Sequence, residues 1–232
     1  MLLKVKEFIT YRFALLNSLN YIKYLRRKGV CVGDNTLVRF PRSTRIDLTR
    51  PSLITIGSNV DINKNFTIMT HDYSTLVFRN LYGEFLNSSG KVTIGNNVYF
   101  GTNVIVLKGV TIGNNCIIAA GSVVVKDIPD NTVAAGVPCR PLCSIEDYYK
   151  KRQRQCVDEA FEYARSIVER FNRRPVVEDF SEEFHLWCDS SNINDYPTVP
   201  YKSQLKDKEV EWLQTHKKTF DDFESFLKAS GI

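Results

Sequence analysis

The chain contains only three histidines, His71, His185 and His216. Imidazole is the side chain whose charge changes near neutral pH, so each is a candidate general base or metal ligand. His71 is singled out by position, because it closes the apolar segment Phe66-Thr67-Ile68-Met69-Thr70 and leads into a stretch of different character. In isolation a lone histidine is more often structural. Asp72 is adjacent, and in an extended chain neighbouring side chains point to opposite sides, so a backbone carbonyl is the alternative partner for the ring. A three-histidine zinc site is not available, since only His71 lies in the repetitive part of the chain. The six cysteines (31, 116, 139, 143, 156 and 188) form no CxxC pair and read as reduced thiols of a cytoplasmic protein.

The elements that must position His71 follow from a six-residue period. Counting by six from Ile94 reaches Phe100, Val106, Ile112, Ile118 and Val124, all apolar. A second ladder, four residues later in each unit, reads Val98, Val104, Val110, Cys116, Ser122 and Ile128. Gly95-Asn96-Asn97, Gly101-Thr102-Asn103 and Gly113-Asn114-Asn115 fall between, and Gly and Asn tolerate the left-handed backbone of tight corners. A helix has a 3.6-residue period and an ordinary strand does not turn every six residues, so short strands joined by corners and stacked coil on coil satisfy the pattern. The ladder starts earlier, at Ile56, Ile62 and Ile68 with Val60 and Phe66, and Val32 and Val38 share its phase. Residues 39–52, with Pro41 and Pro51, are ragged. From Ile68 to Ile94 the count is not a multiple of six, so residues of about 72–91 must leave the coil as an extruded loop. A long loop on a rigid scaffold is where function tends to sit. Its Tyr73, Phe78, Arg79, Tyr82 and Phe85 are too apolar and aromatic for a disordered tether.

At 232 residues with 43% hydrophobic and 25% charged residues, composition is that of a globular protein with one principal domain and appendages. A net charge of +5 suits an anionic ligand without implying nucleic acid. The basic runs Arg26-Arg27-Lys28 and Lys150-Lys151-Arg152 read as solvated helix faces. No segment is apolar for long enough to span a bilayer.

The stretches VTIGNNVYFG (92–101), GSVVVKDIPDN (121–131) and VAAGVPCRP (133–141) resemble the hexapeptide-repeat acyltransferases, particularly the galactoside/maltose O-acetyltransferase branch and bacterial capsular and lipopolysaccharide O-acetyltransferases. The resemblance runs over about residues 52–141. It implies a mainly β chain folded as a left-handed parallel β-helix over 30–141, a homotrimer with active sites between subunits, acetyl-CoA as co-substrate and no metal. It makes His71 the general base for direct acetyl transfer to a sugar or polysaccharide hydroxyl. Carried across residue by residue, it places Tyr99, Gly101, Thr102, Ala120, Lys126 and Arg140 at the coenzyme, with Cys143 where another basic residue is expected. Asp72 is a second catalytic candidate, and Tyr73 and Arg79 are candidates for the acceptor. Residues 41–51 do not match cleanly the acceptor-binding asparagine and aspartate of enzymes acting on simple sugars.

Two elaborations flank the coil. Residues 1–29 are expected to hold a helix over 3–28, and residues 142–232 a helical extension. Ser144 with Asp147 forms a capping box before Val157, Ala160, Phe161, Ala164, Ile167, Val168 and Phe171 at helical spacing; Thr219 with Asp222 forms a second before Phe223, Phe226 and Leu227. Trp187 and Trp212 read as packing anchors. The alternatives are an N-acetyltransferase of an amino sugar, in which the same base serves an amine, and a non-catalytic β-helix scaffold.

Overall fold

The computed structural model describes residues 2–232, with side chains from Val5 onward. The chain divides into two compact units, Met1–Tyr149 and Lys150–Ile232.

The first unit is built on four coils of three short strands. They are β1 (Cys31–Val32), β2 (Leu37–Val38) and β3 (Arg45–Ile46); β4 (Ile54–Ile56), β5 (Asp61–Ile62) and β6 (Thr67–Ile68); β7 (Val92–Ile94), β8 (Val98–Phe100) and β9 (Ile105–Val106); β10 (Thr111–Ile112), β11 (Cys116–Ile118) and β12 (Val123–Val124). Corresponding strands stack in parallel as three sheets, β1-β4-β7-β10, β2-β5-β8-β11 and β3-β6-β9-β12. A hairpin, β13 (Thr132–Gly136) and β14 (Cys139–Ser144), extends the second sheet. Both predicted ladders point inward: every one of their residues from Ile94 to Ile128 is buried, Ser122 included.

The corners explain the Asn and Gly spacing. Asn59, Asn65, Asn97, Asn103 and Asn115 all have positive φ, and each precedes a residue of the second ladder. Their amides also stack from coil to coil, as in Asn97 Nδ2 to Asn115 Oδ1 at 2.9 Å and Asn115 Nδ2 to Asn131 Oδ1 at 2.8 Å. The left-handed conformation selects the residue type, and the coil-to-coil hydrogen bond favours Asn over Gly.

Register locates the interruption. Where β7 meets β10, Ile94 stands against Ile112, so that one coil consumes three hexapeptides. Where β4 meets β7, Ile56 stands against Ile94, more than twice that separation along the chain. The surplus is the extruded loop, which carries its own helix, α3 (Leu76–Tyr82), in the order that follows α1 (Leu2–Ala14) and α2 (Ser18–Lys28). The first coil is also longer than three hexapeptides, as the pairings of Val32 with Ile56 and of Ile46 with Ile68 show. Two 3-10 turns, Pro41–Ser43 and Pro51–Leu53, take up its excess.

Three expectations are corrected. The segment before the coil is two helices, because Asn17 adopts extended backbone and its side chain caps α2 through the Asn20 amide at 2.9 Å. The molecule is not mainly β: helices account for about 41% of the chain, against short strands. The last helix, α7 (Phe223–Ser230), starts later than a Thr219 cap would place it, with Asp222 accepting from the Ser225 amide at 2.7 Å.

Helix α4 (Ile145–Phe171) leads into the second unit and is capped as expected, Asp147 N donating to Ser144 Oγ at 3.0 Å. Ala160, Ala164 and Ile167 are buried, but Val168 and Phe171 are exposed. Short helices α5 (Tyr201–Leu205) and α6 (Glu209–Thr215) precede α7. Trp187 is fully buried against Phe180, Phe223 and Phe226, and Trp212 packs on Phe184, so both tryptophans are packing anchors.

Candidate active site

Strand β6 ends at Ile68, and the chain leaves the coil shortly after it. The neck of the loop is closed by a bridge between His71 and Ser89, with Gly90 N donating to Thr70 O at 2.9 Å. His71 is therefore held in place by backbone pairing, at the corner where the third sheet turns towards the first.

Its imidazole is oriented by a residue that the sequence did not single out. Asp47 follows β3, which pairs with β6, and its Oδ2 lies 2.6 Å from His71 Nδ1. The same oxygen accepts from Thr70 N at 3.1 Å and Thr70 Oγ1 at 2.5 Å. Asp47 Oδ1 accepts from Thr49 N at 3.1 Å and Thr49 Oγ1 at 2.6 Å. The Asp47 side chain is 11% exposed and that of His71 19%. Burial alone would raise the Asp47 carboxyl, but the bonds from Thr49, Thr70 and His71 outweigh it and hold the group well below the usual carboxylate range. An ionised carboxylate only accepts, so Nδ1 carries a proton and Nε2 of the neutral ring is left with its lone pair. That is the tautomer a general base requires, and the partner is a carboxylate rather than the backbone carbonyl considered from sequence.

Asp72 makes a separate set of contacts. Its carboxylate pairs with Lys108, accepts from Ser74 N at 3.0 Å and from Ser88 Oγ at 3.1 Å, and these bonds lower its pKa. It ties the two ends of the loop to the next coil, while Asp47 takes the place beside the imidazole. Tyr73 is exposed, with its ring centroid 5.8 Å from that of His71 in an edge-on arrangement. Arg79 lies on exposed α3.

The other candidates divide between two corners. Lys126 follows Val124 as Thr70 follows Ile68, and β6, β9 and β12 are in register, so Lys126 lies two coils along on the corner of His71. Tyr99 lies mid-strand on β8 of the second sheet, and Thr102 follows at the corner where that sheet meets the third, opposite the His71 corner; there Gly101 N donates to Ile118 O and Gly121 N to Thr102 O at 2.8 Å each. Tyr99 presents an exposed ring, its hydroxyl 3.3 Å from Asn63 Nδ2, and Ala120, next to Gly101 at the corner, is small and exposed. Gly101 is required by packing: a Cβ would lie 2.5 Å from Ala120 N. Arg140 is exposed on the hairpin, donating to Cys139 O at 2.9 Å, and Cys143, further along the same strand, is half-buried.

The repeat is matched by the family model "Bacterial transferase hexapeptide (six repeats)" over residues 91–126. Protein CapG of Staphylococcus aureus is 44% identical over 128 residues, covering 55% of this chain and 73% of CapG. Galactoside O-acetyltransferase of Escherichia coli is 43% identical, covering 53% of this chain and 60% of that enzyme, so the chain spans less than two thirds of its length. A hexapeptide-repeat acetyltransferase of Vibrio cholerae, solved in complex with acetyl coenzyme A, matches at 27% identity over 58% of this chain and 82% of that one, with a TM-score of 0.45. The repeat match and the likeness to CapG define the class, a hexapeptide-repeat transferase. Within that class, the chain belongs to the galactoside/maltose O-acetyltransferase-like acetyltransferases.

Proposed function

We propose that this chain transfers the acetyl group of acetyl-CoA directly to a hydroxyl of a sugar or polysaccharide precursor, with His71 as general base. The observation that carries the reading is the Asp47–His71 pair at 2.6 Å, at the mouth of the loop that interrupts the coil. His71 Nε2 removes the proton of the acceptor hydroxyl as its oxygen attacks the thioester carbonyl. The C–S bond then breaks, releasing the coenzyme as its thiol once the proton passes to sulfur. A backbone amide stabilises the oxyanion between these events. Asp47 keeps the ring in its basic tautomer and balances the charge of the imidazolium that forms.

The coenzyme fits the corner of Tyr99. An aromatic face, a hydroxyl at Thr102 and the absence of a large side chain at Ala120 leave room for an extended pantetheine arm, and Lys126 and Arg140 are cations suited to its phosphates. Because Thr102 and Ala120 stand at the corner opposite His71 across the third sheet, with Tyr99 on the adjoining second sheet, one copy's His71 would meet the coenzyme corner of another copy. A left-handed coil forming a homotrimer gives that arrangement, and the exposed apolar loop (Tyr73, Phe78, Leu81, Tyr82 and Phe85) supplies a surface for such a contact. The enzyme would act in the cytoplasm, where acetyl-CoA is available.

The test is His71→Ala with labelled acetyl-CoA and a panel of glycans and amino sugars. Transfer should fall at least ~100-fold with the fold retained by circular dichroism. Near-normal turnover would remove His71 from the mechanism. Label released by hydroxylamine identifies an ester and supports the reading; label that resists it identifies an amide and moves the enzyme to N-acetylation.

A further inference from the structure

The N-terminal helix pair carries a surface that the active site does not use. Helix α1 has two apolar faces. Tyr11 and Ala14 turn towards α2 and the coil: Ala14 is buried and the Tyr11 ring lies 5.5 Å from that of Tyr24. The other face has the spacing Val5, Phe8, Ile9 and Phe13, continued by Leu16 in the turn after the helix, and it stands open. Phe8 is 63% exposed, Ile9 60%, Phe13 61% and Leu16 57%. Large apolar side chains at helical spacing, side by side in water, mark an interaction face.

The rim of this face has one sign. Arg12, four residues from both Phe8 and Leu16 and so within the strip, and Arg42 line the side of it that holds Phe8, Phe13 and Leu16. Lys23 and Arg27, a turn apart on α2, border Ile9 and Phe13 on the other. Residues 1–30 hold seven Lys and Arg against a single carboxylate, Glu7, and that carboxylate is paired with Lys28. The charge of this segment alone exceeds the +5 of the whole chain, so the remainder is close to neutral. An apolar strip that carries one cation and is flanked by others complements a surface that is apolar at depth and anionic at its boundary.

We propose that the α1–α2 surface binds the face of an anionic lipid bilayer, with Phe8, Ile9, Phe13 and Leu16 entering the headgroup boundary and Arg12, Lys23, Arg27 and Arg42 meeting lipid phosphates. An amphipathic helix with aromatic and aliphatic residues on one side and cations along its border lies in the membrane interface rather than across it. No described helix is long and apolar enough to cross a membrane, so this attachment is peripheral. A second copy meeting this face through its own α1–α2 segment suits it less well, because that segment offers only Glu7, already paired with Lys28, to the cations. Attachment would hold the enzyme where an acceptor carried on a lipid is presented; that consequence alone rests on the reading above, and the binding itself does not.

The experiment is sedimentation of the 232-residue chain with vesicles of phosphatidylcholine, or of phosphatidylcholine and phosphatidylglycerol in equal parts. The protein should pellet with the anionic vesicles and stay in the supernatant with the neutral ones. High salt should weaken binding, and Arg12→Gln and Arg27→Gln should each reduce the partition coefficient about fivefold. Phe8→Ser with Phe13→Ser should abolish pelleting while acetyl transfer to a soluble acceptor stays unchanged, which also shows the variant to be folded. Equal pelleting with both vesicle types, or none with either, overturns the proposal. So does a change in molar mass by light scattering in the Phe8/Phe13 variant, which would make the face a contact between copies.

Discussion

The Asp47 carboxylate accepts five hydrogen bonds from Thr49, Thr70 and His71, a concentration of donors that favours its charged form. Asp47→Asn tests what that charge does for His71. An amide can turn its NH2 towards Nδ1, which would place the imidazole proton on Nε2 and remove the base. We expect kcat to fall about 100-fold with the KM for acetyl-CoA nearly unchanged, as initial-rate measurements would show. Stability should respond to acid in a definite direction. The folded-state pKa of Asp47 lies below its ordinary value of 3.8, so its stabilisation is complete above about pH 4 and is lost as pH falls through the folded value. Melting temperatures measured from pH 6 to pH 3 should therefore drop more steeply for the wild type than for Asp47→Asn. Asp47 is hard to find from sequence for a physical reason. Ile46, the apolar residue beside it, pairs with Ile68 across a separation that is neither a multiple of six nor a whole regular coil, so counting passes over it. The Asp-x-Thr spacing of 47 and 49, an Asx turn in a segment that breaks the repeat, was the available signal.

At the scale of the coil, the ladders and corners were legible because burial and the left-handed backbone each restrict residue type at fixed spacing. The loop followed from the same rule, since the register between β4 and β7 can be kept only if the surplus chain leaves the coil. The helical parts obeyed no such period: the break at Asn17 depends on one side chain capping a backbone amide, and the exposed Val168 and Phe171 fit the helical pattern without being part of the core. Glycine needs the same discrimination. Gly101 adjoins residues assigned to the coenzyme, yet its lack of a side chain is explained by the neighbouring coil, whose Ala120 N and Cα would lie 2.5 and 2.8 Å from a Cβ. Gly101→Ala should therefore cost about 1–3 kcal/mol of stability through backbone displacement. Urea unfolding should show this loss, and the folded fraction should retain its affinity for acetyl-CoA; a selective loss of affinity with unchanged stability would instead make Gly101 a ligand contact.

At the scale of the molecule, the distribution of residues between corners makes the most demanding prediction. The sheet β3-β6-β9-β12 has His71 and Lys126 beyond one side and Thr102 and Ala120 beyond the other. One copy cannot bring His71 round to its own Thr102 and Ala120 corner while the coil stays intact, whereas in the proposed trimer neighbouring copies can place opposite corners together. Complementation between two inactive variants measures this. On the proposed mechanism His71→Ala lacks the base but keeps the coenzyme corner, and Ala120→Trp keeps the base but fills the proposed coenzyme corner. Each should be inactive alone. If the proposed trimer forms, the two refolded together in equal amounts should give mixed assemblies in which about a quarter of the interfaces join an intact His71 to an intact coenzyme corner, so about a quarter of wild-type activity should return. A mixture as inactive as its components, with mixed trimers verified by differential tags, would mean that each copy carries a complete site and that the two corners act separately.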